Sequence, residues 1–462
     1  MSKFDKIYAK APIWLQNTLV TGYGLYWHWL RFAGSYQSHL RGYKTREHFS
    51  SSEWQVYQHT QLKDLLSICM ESVPYYRDAW SESQKKAARE GDLKGLPLLE
   101  KGALRDDPKR FCRDDQHPLF KLTHHTSGTT GTPIQSIWRI SEYRNALALR
   151  ESRSANWAGV SFSQPRATFS GRLVEPNSGR FKAVYRYNAV EKQVYFSAFH
   201  LKPDTAQQYV DALWKHHTQW LTGYAVSYFL LAKMILDQNI KVPKLEAVIT
   251  TSEKLTPSMR TVMEKAYNCP IYEEYSTVEN ALFASECEKG RLHVSPDVGI
   301  VEILRPDGSA CEPGEVGEVV TTCLMRSYQP LIRFRLGDLA AWDPEPCPCE
   351  CQMPVLKEVV GRIEDVVIGP DGRQMVRFHG IFTDQPNVIE GQIIQESLDN
   401  ITVRVVPNDG FSDVDIHDIK SRMSKRLGQQ VHIDVQLVDK IKRTKAGKFK
   451  AVISKLNQTE NS

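Results

Sequence analysis

This 462-residue chain has no apolar run long enough for a transmembrane helix. The nearest approach, Ala11–Leu30, is free of Asp, Glu, Lys and Arg. Yet Pro12, Gln16, Asn17, two threonines, two glycines and His28 make it far less apolar than a span requires. Nor is there a compact apolar stretch followed by a small-residue cleavage site, so no secretion signal is expected. Charge of one sign is also scarce: 59 Lys and Arg against 54 Asp and Glu leave +5, too mild to argue for nucleic acid. Internal repeats and low-complexity tracts are absent. The nine cysteines, an odd number spread along the chain, do not form a secreted disulfide framework. A cytoplasmic protein of two or three domains is the expectation, with the ordinary 41% hydrophobic and 24% charged content of a globular chain. Trp14, Tyr23, Tyr26, Trp27 and Trp29 are expected to pack as a buried helix. Membrane contact is the less favoured alternative, and stable insertion is not expected.

The first hundred residues read as mainly helical. Thr205–Leu221 and Tyr224–Gln238 read as helices, and Leu245–Ile249 as a short buried strand. Thr256-Pro257 offers an N-cap and a first-turn proline for a helix ending near Ala266, and a strand follows around Pro270–Glu273. This β-α-β unit predicts a parallel sheet, and places "TTSE" and "EYSTVE" beyond its carboxyl ends, where ligands sit. After "GRIEDVVIGPDGR" the texture changes. Pro370-Asp371-Gly372 reads as a hairpin turn, and Ile401, Val403 and Val405 alternate as a strand. Ile416, Ile419, Met423 and Leu427 share a helical face closed by Gly428, and Val431–Leu437 alternates again. The expected division is a large α/β domain over 1–362, its helical part about 1–100, and a small α+β domain over 363–462.

The densest chemical signal is "HHTSGTTGTP", His124 to Pro133. Its glycines let successive N–H groups converge on an anion, and its hydroxyls add donors. It is not the P-loop of nucleoside triphosphatases, because Thr132-Pro133 and not Lys follows Gly131.

As a string, "TSGTTGTP" resembles the phosphate loop of the adenylate-forming superfamily of acyl-CoA ligases, adenylation domains and luciferases. "GEVGEVV" (314–320), "PLIRFRLGD" (330–338), "GRIED" (361–365) and "RTKAGKFK" (443–450) are similar to further motifs of that superfamily, in the same order. The pattern runs from about residue 95 to 455. Its style is that of the phenylacetate–CoA ligase branch, and within it of the CapK or coenzyme F390 synthetase-like relatives of capsule and surface-polysaccharide biosynthesis.

The resemblance implies a large AMP-binding domain with mixed sheets and a small mobile C-terminal domain. It implies that a carboxylate attacks ATP to give acyl-adenylate and pyrophosphate, and that coenzyme A or another acceptor then takes the acyl group. Thr126, Ser127, Gly128, Thr129, Thr130, Gly131 and Thr132 would hold the pyrophosphate, and Lys448 would bring positive charge to the α-phosphate. Glu279 would help bind Mg²⁺, and Asp338 and Arg362 would hold the ribose. Tyr275 would lie against adenine near Ser252, Glu253, Ser276 and Thr277. The chain departs from the family pattern at Val278, where a hydroxyl residue is usual, at Leu336, and in "TSEKL". An adenylyl transferase of the F390-synthetase type and a non-catalytic scaffold in polysaccharide assembly stay open as alternatives, as does a homodimer.

Cys347 and Cys349, two apart in an extended segment, would present both thiolates on one face. Relatives of this branch carry a similar Cys-x5-His and Cys-x-Cys set. The resemblance therefore implies a structural Zn²⁺ on Cys287, His293, Cys347 and Cys349, with Cys351 a spare or an alternative fourth ligand. Unconnected buried cysteines are the other reading.

Overall fold

The computed structural model describes residues 8, 11–125, 134–170, 174, 183–198, 200–362, 367–370, 374–375, 379–382, 385, 387–428, 430–444 and 449–456. Of the expected site, Thr126, Ser127, Gly128, Thr129, Thr130, Gly131, Thr132 and Lys448 lie outside the described residues.

The first hundred residues form α1 (Ile13–Phe32), α2 (Tyr36–Arg46), α3 (Ser51–Ser72), α4 (Pro74–Ala79) and α5 (Glu82–Glu90). Capping boxes start α3 and α5, where Ser50 with Glu53 and Ser81 with Gln84 satisfy the free N–H groups of the first turn. Leu65, Leu66, Cys69 and Tyr76 bury one face against the large sheet. The aromatic residues of α1 do not follow the expected buried packing. Trp14, Tyr23, Tyr26 and Trp29 are exposed, because the helix turns its polar residues toward the protein.

After α6 (Lys101–Asp106), β1 (Lys121–His125) and β2 (Gln135–Arg139) pair antiparallel, His125 opposite Gln135, on either side of the expected phosphate loop. Helix α7 (Ile140–Arg150) then runs into a buried π-helical turn, Glu151–Ala155.

A twelve-stranded mixed sheet forms the body. Its parallel part comprises β3 (Arg166–Ser170), β5 (Gln193–Ser197), β6 (Trp220–Tyr224), β7 (Ala247–Thr251) and β8 (Ile271–Ser276). Strand β4 (Tyr185–Asn188) closes one edge, antiparallel to β5. Crossover helices α8 (Ala206–Lys215), α9 (Ala225–Asp237) and α10 (Pro257–Tyr267) link these strands. Beyond β8 the sheet turns antiparallel through β9 (Phe283–Glu286), β10 (Leu292–Val294), β14 (Val355–Arg362), β13 (Phe334–Trp342), β12 (Gly317–Cys323) and β11 (Gly299–Leu304).

The β-α-β unit read from sequence is present. The Thr256 hydroxyl accepts from Met259 N–H at 3.2 Å, and Pro257 opens α10. The helix expected to reach Leu221 ends instead at Lys215. His217 takes a left-handed φ of 50°, and Trp220 and Leu221 enter β6, buried between β3 and β7. Gly223 in β6 has φ 131°, and a Cβ there would stand 1.9 Å from the Phe169 carbonyl oxygen, so only glycine fits.

A second core lies beyond Arg362. The short hairpin β15 (Val367–Ile368) and β16 (Gln374–Met375) flanks 370–372, and α11 (His379–Phe382) follows. The four-stranded sheet runs β19 (His432–Leu437), β18 (Asn400–Pro407), β17 (Val388–Gln395), β20 (Val452–Ser454). Ile401, Val403 and Val405 of β18 pack on Ile419, Met423 and Leu427 of α12 (Asp413–Leu427), which Gly428 ends at φ 99°.

Candidate functional site

Strands β6, β7 and β8 end on one side of the sheet, and the segments leaving them line a cavity of about 550 Å³. Ser252 and Glu253 follow β7, and Tyr275 and Ser276 close β8. Thr277 and Glu279 come next, while β13 and β14 contribute Asp338 and Arg362. All eight described members of the expected nucleotide and Mg²⁺ set therefore meet on one wall. The opposite wall belongs to the small domain: Phe382, Val388, Glu390, Phe449 and Lys450.

Asp338 stands opposite Arg362 in the β13–β14 ladder, so the backbone register itself brings the pair together. Arg362 Nε lies 2.9 Å from Asp338 Oδ1, and the Tyr275 hydroxyl donates to Oδ2 at 2.6 Å. Burial, then the Asp338 charge, pushes the Tyr275 phenol above its ordinary range, so it stays protonated and donates. Each carboxylate oxygen keeps a lone pair for a ligand hydroxyl.

Ser252 holds a left-handed φ of 69°, an uncommon conformation for a non-glycine residue, directly at the strand-to-helix bend. Glu253 accepts from Val226 N–H at 2.9 Å, placing its charge at the N-terminus of α9. Its other oxygen accepts from Phe449 N–H at 2.8 Å, so it bridges the two domains. The Thr277 hydroxyl is buried with no partner among the described residues, beside the apolar Val278 where the family pattern has a hydroxyl. Glu279 is buried, and its carbonyl accepts from Arg326, which stacks over Trp138 at the end of β2. Leu336, a second departure, is buried in the core of the large domain.

Several lining residues carried no sequence signal. Val226 and Phe229 come from the first turns of α9, an apolar helix in which nothing marks the exposed end. Glu390 pairs with Arg443, whose guanidinium lies 4.9 Å from the Phe449 ring. That ion pair braces the end of the "RTKAGKFK" motif and would have required the strand register to find.

The four expected zinc ligands converge. Their ligand atoms all lie within 4.8 Å of one another, with Cys287 Sγ 3.6 Å from Cys347 Sγ and Cys349 Sγ 3.3 Å from His293 Nε2. A tetrahedral Zn²⁺ with Zn–S near 2.3 Å and Zn–N near 2.0 Å has edges of roughly 3.5–3.8 Å, so the set fits that ion. The carbonyl of Met353 lies 3.1 Å from His293 Nδ1. A carbonyl can only accept, so the proton sits on Nδ1 and Nε2 is free to ligate. The thiols meet through a turn and not through the expected extended segment: 343–354 forms no strand, and Glu350 has φ 66°. This cluster sits at the Trp342–Val355 end of the β13–β14 hairpin. It is some six residues along β14 from Arg362, roughly 20 Å, and so apart from the cavity.

Residues 367–455 match the model of the CapK C-terminal domain. Over 465 aligned residues the chain is 25% identical to Protein CapK of Staphylococcus aureus, covering 97% of this chain and 99% of that one. It is 26% identical over 357 residues to a phenylacetate-coenzyme A ligase of Aromatoleum evansii, covering 70% and 73%. Among solved structures, 2-hydroxyisobutyryl-CoA ligase in the postadenylation state, in complex with R3-HIB-AMP, shares the fold. The TM-score is 0.69 at 19% identity, covering 89% of this chain and 92% of that one. The ordered motifs, the mixed sheet with its separate C-terminal unit and these likenesses agree: the chain has the fold of the adenylate-forming CoA ligases and is similar in sequence to CapK and the phenylacetate–CoA ligases.

Proposed function

We propose that this protein is an ATP- and Mg²⁺-dependent ligase that activates an organic carboxylate as its acyl-adenylate and passes the acyl group to coenzyme A or another acceptor. The carrying observation is the cavity between the two domains, lined by every described residue of the nucleotide set. In the first step a carboxylate oxygen of the acid forms a bond to the α-phosphorus of ATP, and the bond from that phosphorus to the bridging oxygen breaks, releasing pyrophosphate. In the second, an acceptor thiol, amine or hydroxyl attacks the acyl carbon and AMP departs.

A carboxylate is a poor nucleophile toward a polyanion, so the chain's task is to position the reactants and to offset phosphate charge. Asp338, held by Tyr275 and Arg362, accepts the ribose hydroxyls. Thr277 offers its unpartnered hydroxyl to the phosphate end, and Glu279 offers an oxygen ligand to Mg²⁺, which neutralises phosphate charge when bound. The loop from Thr126 to Thr132 holds the departing pyrophosphate, and Lys448 supplies the cation that the loop lacks. The small domain turns between the two steps about the boundary after Arg362, within the "GRIED" motif. Zn²⁺ on Cys287, His293, Cys347 and Cys349 is structural: four protein ligands leave no position for water.

The deciding measurement is isotope exchange between pyrophosphate and ATP over a panel of carboxylic acids. Exchange with at least one acid is expected. Tight ATP binding without exchange for any acid would favour a scaffold, and AMP retained on the product would favour an adenylyl transferase. Lys448→Ala is expected to abolish exchange while still consuming preformed acyl-adenylate. Equal loss of both steps would remove the two-pose mechanism.

A further inference from the structure

Helix α1 is amphipathic with its faces reversed. Three of its polar residues, Gln16, Asn17 and Thr21, point into the protein. Gln16 is fully buried and accepts from Arg186 Nε at 2.5 Å, and Asn17 accepts from the Tyr187 N–H at 3.1 Å. Thr21 accepts from the Ala189 N–H at 3.3 Å. These bonds satisfy the otherwise open edge strand β4 and the turn after it. Gly24 lets the helix sit against Asn188, which a Cβ would meet at 2.4 Å. The opposite face is left to solvent: Trp14 is 69% exposed, Leu25 60%, Tyr26 49% and Trp29 60%. Spaced along one stripe with Thr18 and Gly22, they present large side chains over a helix of 20 residues.

Charge follows the same segment. Residues 1–46 contain seven Lys or Arg and one acid, Asp5, whereas the other 416 residues contain 52 basic and 53 acidic side chains. The excess positive charge of the chain is therefore concentrated here. Arg31 and Arg46 are engaged with Glu191 and Asp297. Arg41 and Lys44 on α2 are exposed, and Lys3, Lys6 and Lys10 precede α1 in the sequence.

We infer that α1 is a membrane-surface helix, whose Trp14, Leu25, Tyr26 and Trp29 enter the interfacial layer of an anionic bilayer while the neighbouring basic residues meet lipid phosphates. Tryptophan and tyrosine favour that layer because each joins an apolar ring to a polar N–H or O–H. Anionic lipid complements the local charge. No described helix is long and apolar enough to cross a membrane, and the polar face of α1 is committed to β4, so the association is peripheral.

The test is cosedimentation of the full chain with vesicles. Binding is expected to phosphatidylcholine vesicles containing about a third phosphatidylglycerol. It should be at least about tenfold weaker to phosphatidylcholine alone, and it should fall as salt is raised and surface charge is screened. Trp14→Ser with Leu25→Ser and Trp29→Ser should weaken binding more than about tenfold, with thermal unfolding and pyrophosphate exchange unchanged. Arg41→Ala with Lys44→Ala, at two exposed positions, should weaken it about tenfold. The inference is overturned if the unaltered protein ignores anionic vesicles, or if the triple variant binds them as well. It is also overturned if the unaltered protein is a dimer that the triple variant dissociates while neither binds lipid. The face would then be an interface between copies of the chain.

Discussion

Asp338 is the residue on which the nucleotide site turns, since one of its oxygens holds Arg362 and the other Tyr275. Asp338→Asn should raise the KM for ATP by roughly ten- to a hundredfold, the loss of about 1.5–3 kcal/mol from charge-assisted bonds, as read by the ATP dependence of exchange. Tyr275→Phe removes one neutral donor and should cost less. Glu273 behaves differently. Burial first, and then the nearby Glu286 charge, push its carboxyl up to about 7. A folded-state pKa above the unfolded value means that the native protein binds the proton more tightly. The folded state is therefore penalised above pH 7, and the penalty fades as pH falls toward 4.5. Glu273→Gln should stabilise the protein at pH 8, by at most about 3 kcal/mol, and hardly at pH 5, as denaturant midpoints at the two values would report. At this scale the sequence was legible where a motif states a residue's partner, as with Asp338 and Arg362. It was silent on Val226, Phe229 and Glu390, which reach the cavity through helix phase and strand register.

Among the elements, the Cys287–His293 turn and the loop 343–354 meet at the four converging ligand atoms, beside the Arg291–Asp343 ion pair and the His293–Met353 contact. Purified protein should contain about one zinc per chain. Cys347→Ser or a strong chelator should remove it and lower the unfolding temperature, because β10 and β14 then lose the tie at one end of their ladder. Activity per folded molecule should survive, given the distance to Asp338. Gly223→Ala should destabilise by about 3 kcal/mol or more, since its Cβ would collide with the carbonyl of Phe169, measurable as a loss of soluble protein or of unfolding free energy. The strands and helices from Ala247 to Ser276 and from Asn400 to Leu437 were readable, because caps, alternation and helical spacing agree there. Two readings failed for a common reason. Trp220 and Leu221 have no local period to distinguish a buried strand from a helix end. The stripe of α1 reads as buried because apolar residues usually are, and the tertiary partners of Gln16, Asn17 and Thr21 show the reversal.

For the whole molecule, the two cores meet at the cavity through Glu253, whose carboxylate touches both α9 and Phe449. Glu253→Gln should weaken this closure, seen as faster hydrogen exchange at 449–452 with no change in β18. Unchanged exchange at 449–452 would mean that the contact does not hold the domains. The reversed helix has a consequence in time. Gln16 and its partner Arg186 are 170 residues apart. At translation rates of roughly 5–20 residues per second, α1 therefore leaves the ribosome about 10–30 s before β4 exists to receive it. During that interval its polar side is merely hydrated, while its aromatic side is already complete. Arrested nascent chains ending before Tyr185 should therefore pellet with anionic vesicles as readily as the finished protein. If they do not, the surface-seeking face depends on the fold that later anchors it.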